Sequence, residues 1–158
     1  MKKITSAIFL IITLISFTSV FSQEVEVKQA VDDFFIGLHK RDTLLFKKVC
    51  HATINMQTIG KDKEQNNKLI LENFQDFMKS IVSIPENVVL FEKLLDYKIQ
   101  IDGPLAHVWT PYEFYFNGTF SQCGANSFQL FNNNGLWQIT YLIDMRRRTN
   151  CKALQNQK

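Results

Sequence analysis

The 158-residue sequence has few of the residues that mark linkers, repeats and disulfide frameworks. It contains 6 glycines, 3 prolines and 3 cysteines. It shows no internal repeat, no low-complexity tract and no linker rich in proline, glycine or serine. We therefore expect one folded domain rather than an array. Three cysteines can form at most one intramolecular bridge, and their spacing matches no zinc or redox motif.

The sequence also lacks a strong excess of charge. The formal net charge is +3, and it falls to about +1 when Lys2 and Lys3, which lie in a segment that we expect to be removed, are left out. A nearly neutral chain gives no electrostatic argument for nucleic-acid binding. The one basic run, Arg146 to Arg148, fits the solvated end of a strand. We expect no nucleic-acid partner.

Motifs for metals and common cofactors are missing. The three histidines are far apart and form neither an HxH nor an HExxH pair. There is no phosphate-binding loop, no dinucleotide fingerprint and no Cys–His or Ser–His–Asp order typical of nucleophilic catalysis. The sequence therefore predicts no metal site and no cofactor.

Apolar residues are concentrated in the first 22 positions. Lys2 and Lys3 precede an uncharged run from Ile4 to Phe17, and Val20-Phe21-Ser22 offers a cleavage site. This pattern is typical of a secretory signal peptide. The alternative is a membrane anchor, but the run is shorter than the roughly 20 residues that a spanning helix needs. We predict a signal peptide over 1–22 and a secreted or periplasmic protein, without membrane contact after cleavage.

The rest of the chain divides into a helical half and a strand half. Apolar residues at three- and four-residue steps predict a helix over about 24–40. A short helix from Thr43 to Val49 follows, then a strand over 52–59 and a third helix over 69–82. We assign residues 23–151 to one domain and residues 152–158 to a disordered tail.

The second half alternates in the manner of an antiparallel meander. Strands are predicted over 88–101, 106–116, 120–131 and 136–147. Helices that are segregated to one side of an antiparallel sheet make an α+β fold. We expect a cone-shaped α+β barrel, in which a curved antiparallel sheet wraps around three N-terminal helices and encloses a cavity.

Hairpin register predicts which side chains face that cavity. A two-residue turn at Asn117-Gly118 would pair Glu113 with Gln122 and Trp109 with Asn126. A four-residue loop over 132–135 would then pair Asn126 with Tyr141. Cross-strand partners share a face of the sheet, so these five side chains would line one wall.

This wall supports three hypotheses. In the first, Trp109 and Tyr141 stack on a small organic ligand, aromatic or amphipathic, while Glu113, Gln122 and Asn126 hydrogen-bond to it. In the second, Glu113 is the general acid or base of an isomerase, cyclase or dehydratase, and Tyr141 is a hydrogen-bond donor. In the third, the polar groups only satisfy one another, and the protein is a dimeric interaction module without a ligand.

Two further expectations concern cysteines and association. Cys123 and Cys151 both lie in the C-terminal sheet region and are the preferred disulfide pair, whereas Cys50 lies among apolar helix residues. The opposite face of the sheet would mediate a homodimer. We expect this outer face to carry Thr110, Tyr112, Ser127 and Thr140.

Several segments carry a family resemblance. VWTPYEFY from Val108, FSQCGANSFQLF from Phe120 and WQITYLIDMRR from Trp137 resemble the nuclear transport factor 2-like superfamily, nearest its secreted bacterial lumazine-binding-like or SnoaL-like branch. FFIGLHKRD from Phe34 fits the first helix of that family. The resemblance implies a cone-shaped α+β barrel, often a homodimer, in a superfamily that contains both enzymes and binding domains.

One departure from the family bears on catalysis. Relatives often carry histidine where this chain has Gln122. A glutamine cannot act as a general base, so the departure disfavours acid–base catalysis at that position. Asp144, Arg146 and Arg147 match the strand end of the same branch, although the resemblance assigns them no role.

Overall fold

The computed structural model describes residues 22–151 of the chain. The predicted signal peptide, apart from Ser22, and the predicted tail over 152–158 lie outside the described residues. Helix α1 spans 22–40, α2 spans Thr43–Val49 and α3 spans Phe74–Val82. In the part of the chain that is described, no helix is long and apolar enough to cross a membrane.

Seven strands form one curved, open sheet. They are β1 (Cys50–Lys61), β2 (Asn67–Glu72), β3 (Leu90–Leu94), β4 (Lys98–Asp102), β5 (Leu105–Phe116), β6 (Thr119–Asn133) and β7 (Leu136–Arg147). The order is β2-β1-β7-β6-β5-β3, and β4 also pairs with β5. All pairs are antiparallel except β1 with β7, so the sheet is mixed. The predicted α+β cone is confirmed.

Side-chain caps set where the short helices begin. Asp42 accepts hydrogen bonds from the Leu44 and Leu45 amides at 2.9 and 3.0 Å, which starts α2. Asn73 does the same for α3, from the Gln75 and Asp76 amides at 2.9 and 3.1 Å. The predicted helix over 69–82 is therefore wrong in its first turn. Residues 69–72 belong to β2, because their apolar run also suits an edge strand.

The predicted single strand over 88–101 is two strands. β3 and β4 both pair with β5, and the chain between them lies opposite Pro111. The Leu95 amide donates to the Pro111 carbonyl at 2.9 Å. Proline has no N–H to offer a neighbouring strand, so the ladder is interrupted where Pro111 stands.

The core lies between the helices and the concave face of the sheet. Phe34 of α1 is buried at its centre, with ring contacts to Phe46, Phe77 and Phe128 at centroid distances of 5.1 to 6.2 Å. Each large apolar side chain that is fully buried contributes about 1.5 to 3 kcal/mol to folding. Cys50 is part of this core, and burial raises the pKa of its thiol to about 12.

A disulfide joins the end of the chain to the sheet. It connects Cys123, which is fully buried in β6, to Cys151, with 5.7 Å between the Cα atoms. This is the pair preferred from the sequence. The bridge holds the segment after β7 against the convex side of the sheet.

Candidate functional site

A cavity of about 490 Å³ lies between the concave face of the sheet and helices α1 and α3. Its apolar lining consists of Phe34, Phe35, Leu38, Met56, Phe77, Ile81, Leu90, Phe114 and Leu142. Its polar lining consists of Gln57, Glu72, Asn73, Asp76, Ser80, Glu92, Tyr112, Gln122, Asn126, Asp144 and Arg146. Both the volume and the mixed lining are typical of small-molecule sites.

A bulge at Ser121 decides which residues of β6 reach the cavity. The Asn117-Gly118 turn pairs Phe116 with Thr119 as predicted, but Ser121 is an extra residue, and Phe114 then pairs with Gln122. The predicted pairing of Glu113 with Gln122 is therefore wrong. A one-residue shift moves side chains to the other face of a sheet, so Gln122 lines the cavity and Glu113 does not.

The same displacement separates the rest of the predicted wall. Asn126 lines the cavity and pairs with Thr110, whereas Trp109 pairs with Ser127 on the convex face. On that face Glu113 accepts a hydrogen bond from the Tyr115 hydroxyl at 2.8 Å. The structure thus brings Gln122 and Asn126 together and places Trp109 and Glu113 outside.

A second bulge, in β7, removes Tyr141 from this wall. The loop is a two-residue turn at Asn134-Gly135, not the predicted four-residue loop, and both residues have positive φ, 53° and 99°. Thr140 is the extra residue in β7, so Asn126 pairs with Asp144. The Tyr141 hydroxyl donates to Gln57 Oε1.

Glu92 is a buried titratable group in the cavity wall. It lies in β3 opposite Phe114, and Asn126 Nδ2 donates to its Oε1 at 2.8 Å. Burial raises its pKa to about 7, and the nearby charge of Asp144 adds to the rise. The Asn126 hydrogen bond and the charge of Arg146 oppose it. Near neutral pH the carboxyl can therefore give or take a proton.

A second cluster of polar side chains lies beside Glu92, and Asp144 accepts its hydrogen bonds. Arg146 Nε donates to its Oδ2 at 2.6 Å, Thr58 Oγ1 to its Oδ1 at 2.5 Å, and the Tyr112 hydroxyl to its Oδ2 at 3.3 Å. Burial would lower the pKa of Arg146, but the hydrogen bond and charge of Asp144 outweigh it and raise that pKa. Glu72 Oε1 lies 3.6 Å from Arg146 Nη2. Within residues 22–151, no three metal-ligating side chains are placed to hold an ion.

Gly124 gives the Tyr112 ring its position. A Cβ atom on residue 124 would lie 2.0 Å from the Met145 carbonyl oxygen and 2.7 Å from the Tyr112 ring. Only glycine leaves room for both the ring and the Met145 carbonyl at this point. Burial raises the pKa of Tyr112 far above its ordinary value, so the hydroxyl remains a donor at neutral pH.

Comparison with protein-family models and with curated protein sequences finds no match. Among solved structures, an NTF2-like protein of unknown function from Shewanella baltica matches with a TM-score of 0.60, at 14% identity, over 82% of this chain and 97% of that one. An NTF2-like protein from Cytophaga hutchinsonii matches with a TM-score of 0.63, at 11% identity, over 79% and 98%.

The chain has the nuclear transport factor 2-like fold. The association domain of C. elegans CaMKII also matches it, with a TM-score of 0.62 at 15% identity, over 80% of this chain and 97% of that one. These likenesses concern the fold, and the site has to be judged from this chain's own residues.

In this nuclear transport factor 2-like cone, the end of α1 holds the strand that carries Glu92. The Glu92 amide donates to His39 Nε2 at 2.9 Å, and the Phe91 ring lies 5.1 Å from the His39 ring. Arg41 donates to the Pro85 and Val88 carbonyls just before β3. Burial lowers the pKa of His39.

Sequence reasoning missed Glu92, Tyr112, Asp144 and Arg146 as cavity residues of the nuclear transport factor 2-like fold. A signal for three of them was present. Leu90, Glu92 and Leu94 alternate, so one acid stands between two leucines on a strand face. Asp144 and Arg146 are two residues apart on a strand and therefore share a face. The bulges that bring these faces to the cavity leave no comparable pattern.

Proposed function

We propose that the protein is a secreted domain that binds a small organic molecule inside its cone. The observation that carries the proposal is the 490 Å³ cavity with Glu92 in its wall. A concave space with apolar walls and a few convergent polar groups is how proteins bind and orient small molecules. A buried carboxyl group destabilises the folded protein. Such groups are therefore found mainly at sites where they interact with a ligand.

The lining indicates a ligand with an apolar or aromatic body and a polar end. Phe34, Phe35 and Phe77 offer ring surfaces on the helix side. Glu92, Gln122 and Asn126 offer acceptors and donors on the sheet side, so this proposal keeps two of the five binding residues predicted from the sequence.

Secretion is part of the proposal and has two supports. The first 22 residues have the pattern of a signal peptide. The Cys123–Cys151 disulfide suits an oxidising compartment. Membership of the secreted lumazine-binding-like branch is likewise a proposal, supported by the segments around Val108, Phe120 and Trp137.

Mass spectrometry of the protein, purified from its native compartment, tests this function. We expect a small molecule to co-purify with the wild type. Ser80 lines the cavity and is exposed, so Ser80→Trp should obstruct the space and reduce the bound molecule severalfold. Ser83→Trp makes the same exchange outside the cavity, and this variant should retain the bound molecule. A wild-type protein that carries no small molecule, or equal retention by both variants, would contradict the proposal.

The pKa of Glu92 favours acid–base catalysis as a second candidate. A carboxyl that titrates near 7 inside a cavity is suited to moving a proton in an isomerase, cyclase or dehydratase reaction. In this candidate, Glu92 takes the role that sequence reasoning gave to Glu113. Conversion of the co-purified molecule by the wild type, and its loss in Glu92→Gln, would distinguish catalysis from binding.

The convex face favours association into a homodimer. Leu71, Ile143 and Trp109 lie in one cross-strand row, and Leu69, Ile59 and Met145 lie in the next. Trp109 and Met145 are each 36% exposed and Leu71 is 72% exposed. The predicted dimer face is wrong for Thr110 and Tyr112, which are 0% and 1% exposed on the concave side. An interaction module without a ligand remains the alternative in which this face alone carries the function.

A further inference from the structure

We infer that the cavity takes a cationic amphiphile, a molecule with an apolar body and one ammonium group that binds against Glu92. The inference rests on the proposed function, because it specifies the ligand of the same cavity. It follows from the charges in the wall and from the partners that each charge already has.

Acidic side chains outnumber basic ones in the cavity wall. Among the described residues that line it, Glu72, Asp76, Glu92 and Asp144 stand against Arg146 alone. A cleft lined mainly by one sign of charge, with low-dielectric walls, concentrates the field and attracts the opposite charge. The wall therefore favours a cation over a carboxylate or a phosphate.

The guanidinium of Arg146 is already engaged. Its Nε lies 2.6 Å from Asp144 Oδ2, and its Nη2 lies 3.1 Å from Thr58 Oγ1 and 3.6 Å from Glu72 Oε1. An anionic ligand would have to draw Arg146 away from Asp144 and leave a buried carboxylate without its cation. That separation is strongly unfavourable, so Arg146 does not make the cavity an anion site.

Glu92 has the capacity for a further donor. Asn126 donates to its Oε1 at 2.8 Å, and among the described residues no side chain donates to its Oε2. The charged and titratable groups around it are Asp144 and Arg146 from β7 and Tyr112 from β5. Burial keeps its pKa near 7, because nothing in the wall fully compensates its charge. An ammonium group has three donors and a positive charge, which supply that compensation.

Asp76 and the aromatic side chains of the cavity wall also determine which ligand fits. Asp76 is exposed and pairs with Lys79 at 3.1 Å, so its charge is partly balanced. On the helix side of the cavity, Phe34 and Phe77 stack with their rings 6° from parallel. Such surfaces accept an apolar body and also attract cations over their faces.

Isothermal titration calorimetry with three matched indoles tests the inference. Tryptamine is a cation at pH 7.5, tryptophol is its neutral hydroxyl counterpart and indole-3-propionate is an anion. All three share one ring system and are small compared with the cavity. We expect tryptamine to bind at least about tenfold more tightly than tryptophol, and indole-3-propionate to bind most weakly.

Glu92→Gln is the decisive variant. It keeps the shape of the side chain and an oxygen that accepts from Asn126, but it removes the charge. We expect it to weaken tryptamine binding about tenfold and to leave tryptophol binding unchanged. Glu113→Gln makes the same exchange on the convex face and should change the affinity for neither tryptamine nor tryptophol. Circular dichroism of each variant shows that the fold is retained.

The outcomes separate this inference from the proposed function. Tryptophol or indole-3-propionate binding as tightly as tryptamine, with binding weakened by Ser80→Trp, would overturn the cationic ligand and leave the cavity as a binding site. If all three indoles bind Ser80→Trp as tightly as the wild type, they bind outside the cavity, and the inference is overturned. No binding of any indole would also overturn it, while co-purification decides the proposed function independently.

Discussion

At the scale of the residue, the carboxyl of Glu92 couples folding to pH. Its pKa is about 7 in the folded protein and 4.5 as a reference for the unfolded chain. Between these values the folded state holds a proton that the unfolded state has lost, so stability falls as pH rises. The contribution of Glu92 is therefore most favourable below about 4.5 and is lost as the pH passes 7.

Replacement of Glu92 should remove this pH dependence. Glu92→Gln cannot ionise, so we expect it to raise the free energy of unfolding at pH 8 by about 1 to 3 kcal/mol, with little change near pH 4.5. Urea denaturation at pH 8 and at pH 4.5 measures the free energy of unfolding under both conditions. Glu64→Gln, at an exposed position in the turn between β1 and β2, is the control and should change neither. A variant less stable than the wild type at pH 8 would show that the ionised carboxylate is stabilising.

Gln122 and Asn126 show how far single residues could be predicted. Both were expected in the cavity and both line it, but the reasoning assumed an uninterrupted ladder from the Asn117-Gly118 turn. Local turn chemistry identifies the turn. It does not reveal Ser121 as a bulge, because the bulge depends on how β5 and β6 fit into the curved sheet and not on the residues of the turn. Glu113 was displaced for the same reason.

At the scale of the element, the predictable parts were those with local signals. Helix α2 follows from the Asp42 cap, and β5 to β7 follow from alternation and turns. The parallel pairing of β1 with β7 has no such signal, since it joins strands from opposite ends of the domain. The sequence predicts a helical turn where β2 ends, because the four residues over 69–72 fit a helical period as well as a strand period.

The disulfide closes the last hairpin and the segment that follows it. It links residues 28 positions apart, and a loop of this length corresponds to about 3.5 kcal/mol in the chain-entropy account. We expect Cys151→Ser to lower the free energy of unfolding by about that amount. Dithiothreitol should lower the stability of the wild type to the same value and leave the variant unchanged. An unchanged wild type under reducing conditions would mean that the bridge contributes nothing to stability.

At the scale of the whole molecule, the apolar rows on the convex face should decide the oligomeric state. We expect the wild type to be a dimer in light scattering at tens of micromolar. Trp109→Glu would bury a charge in the interface and weaken association at least about a hundredfold. Leu44→Glu alters an equally apolar and more exposed residue, 75% exposed on α2, and should remain dimeric. A monomeric wild type at that concentration would contradict the proposed interface.

The architecture was more predictable than the site within it. The order of helices and strands limits an α+β chain of this size to few arrangements, and the cone was among them. The cavity is made by the curvature of the sheet together with helices α1 and α3, and its charged side chains come from three strands and a helix. No single segment of sequence contains that information.

Because of the hydrogen bond between His39 and β3, the protonation of His39 can be followed at one backbone amide, that of Glu92. The Glu92 N–H is bonded to an imidazole nitrogen, which can accept only while His39 is neutral. Protonation of His39 would leave two donors facing each other and release this N–H to solvent. In hydrogen-exchange experiments the Glu92 amide should therefore lose protection on acidification earlier than the amides of the central strands. The opening of the cavity wall can be followed in this way at a single backbone position.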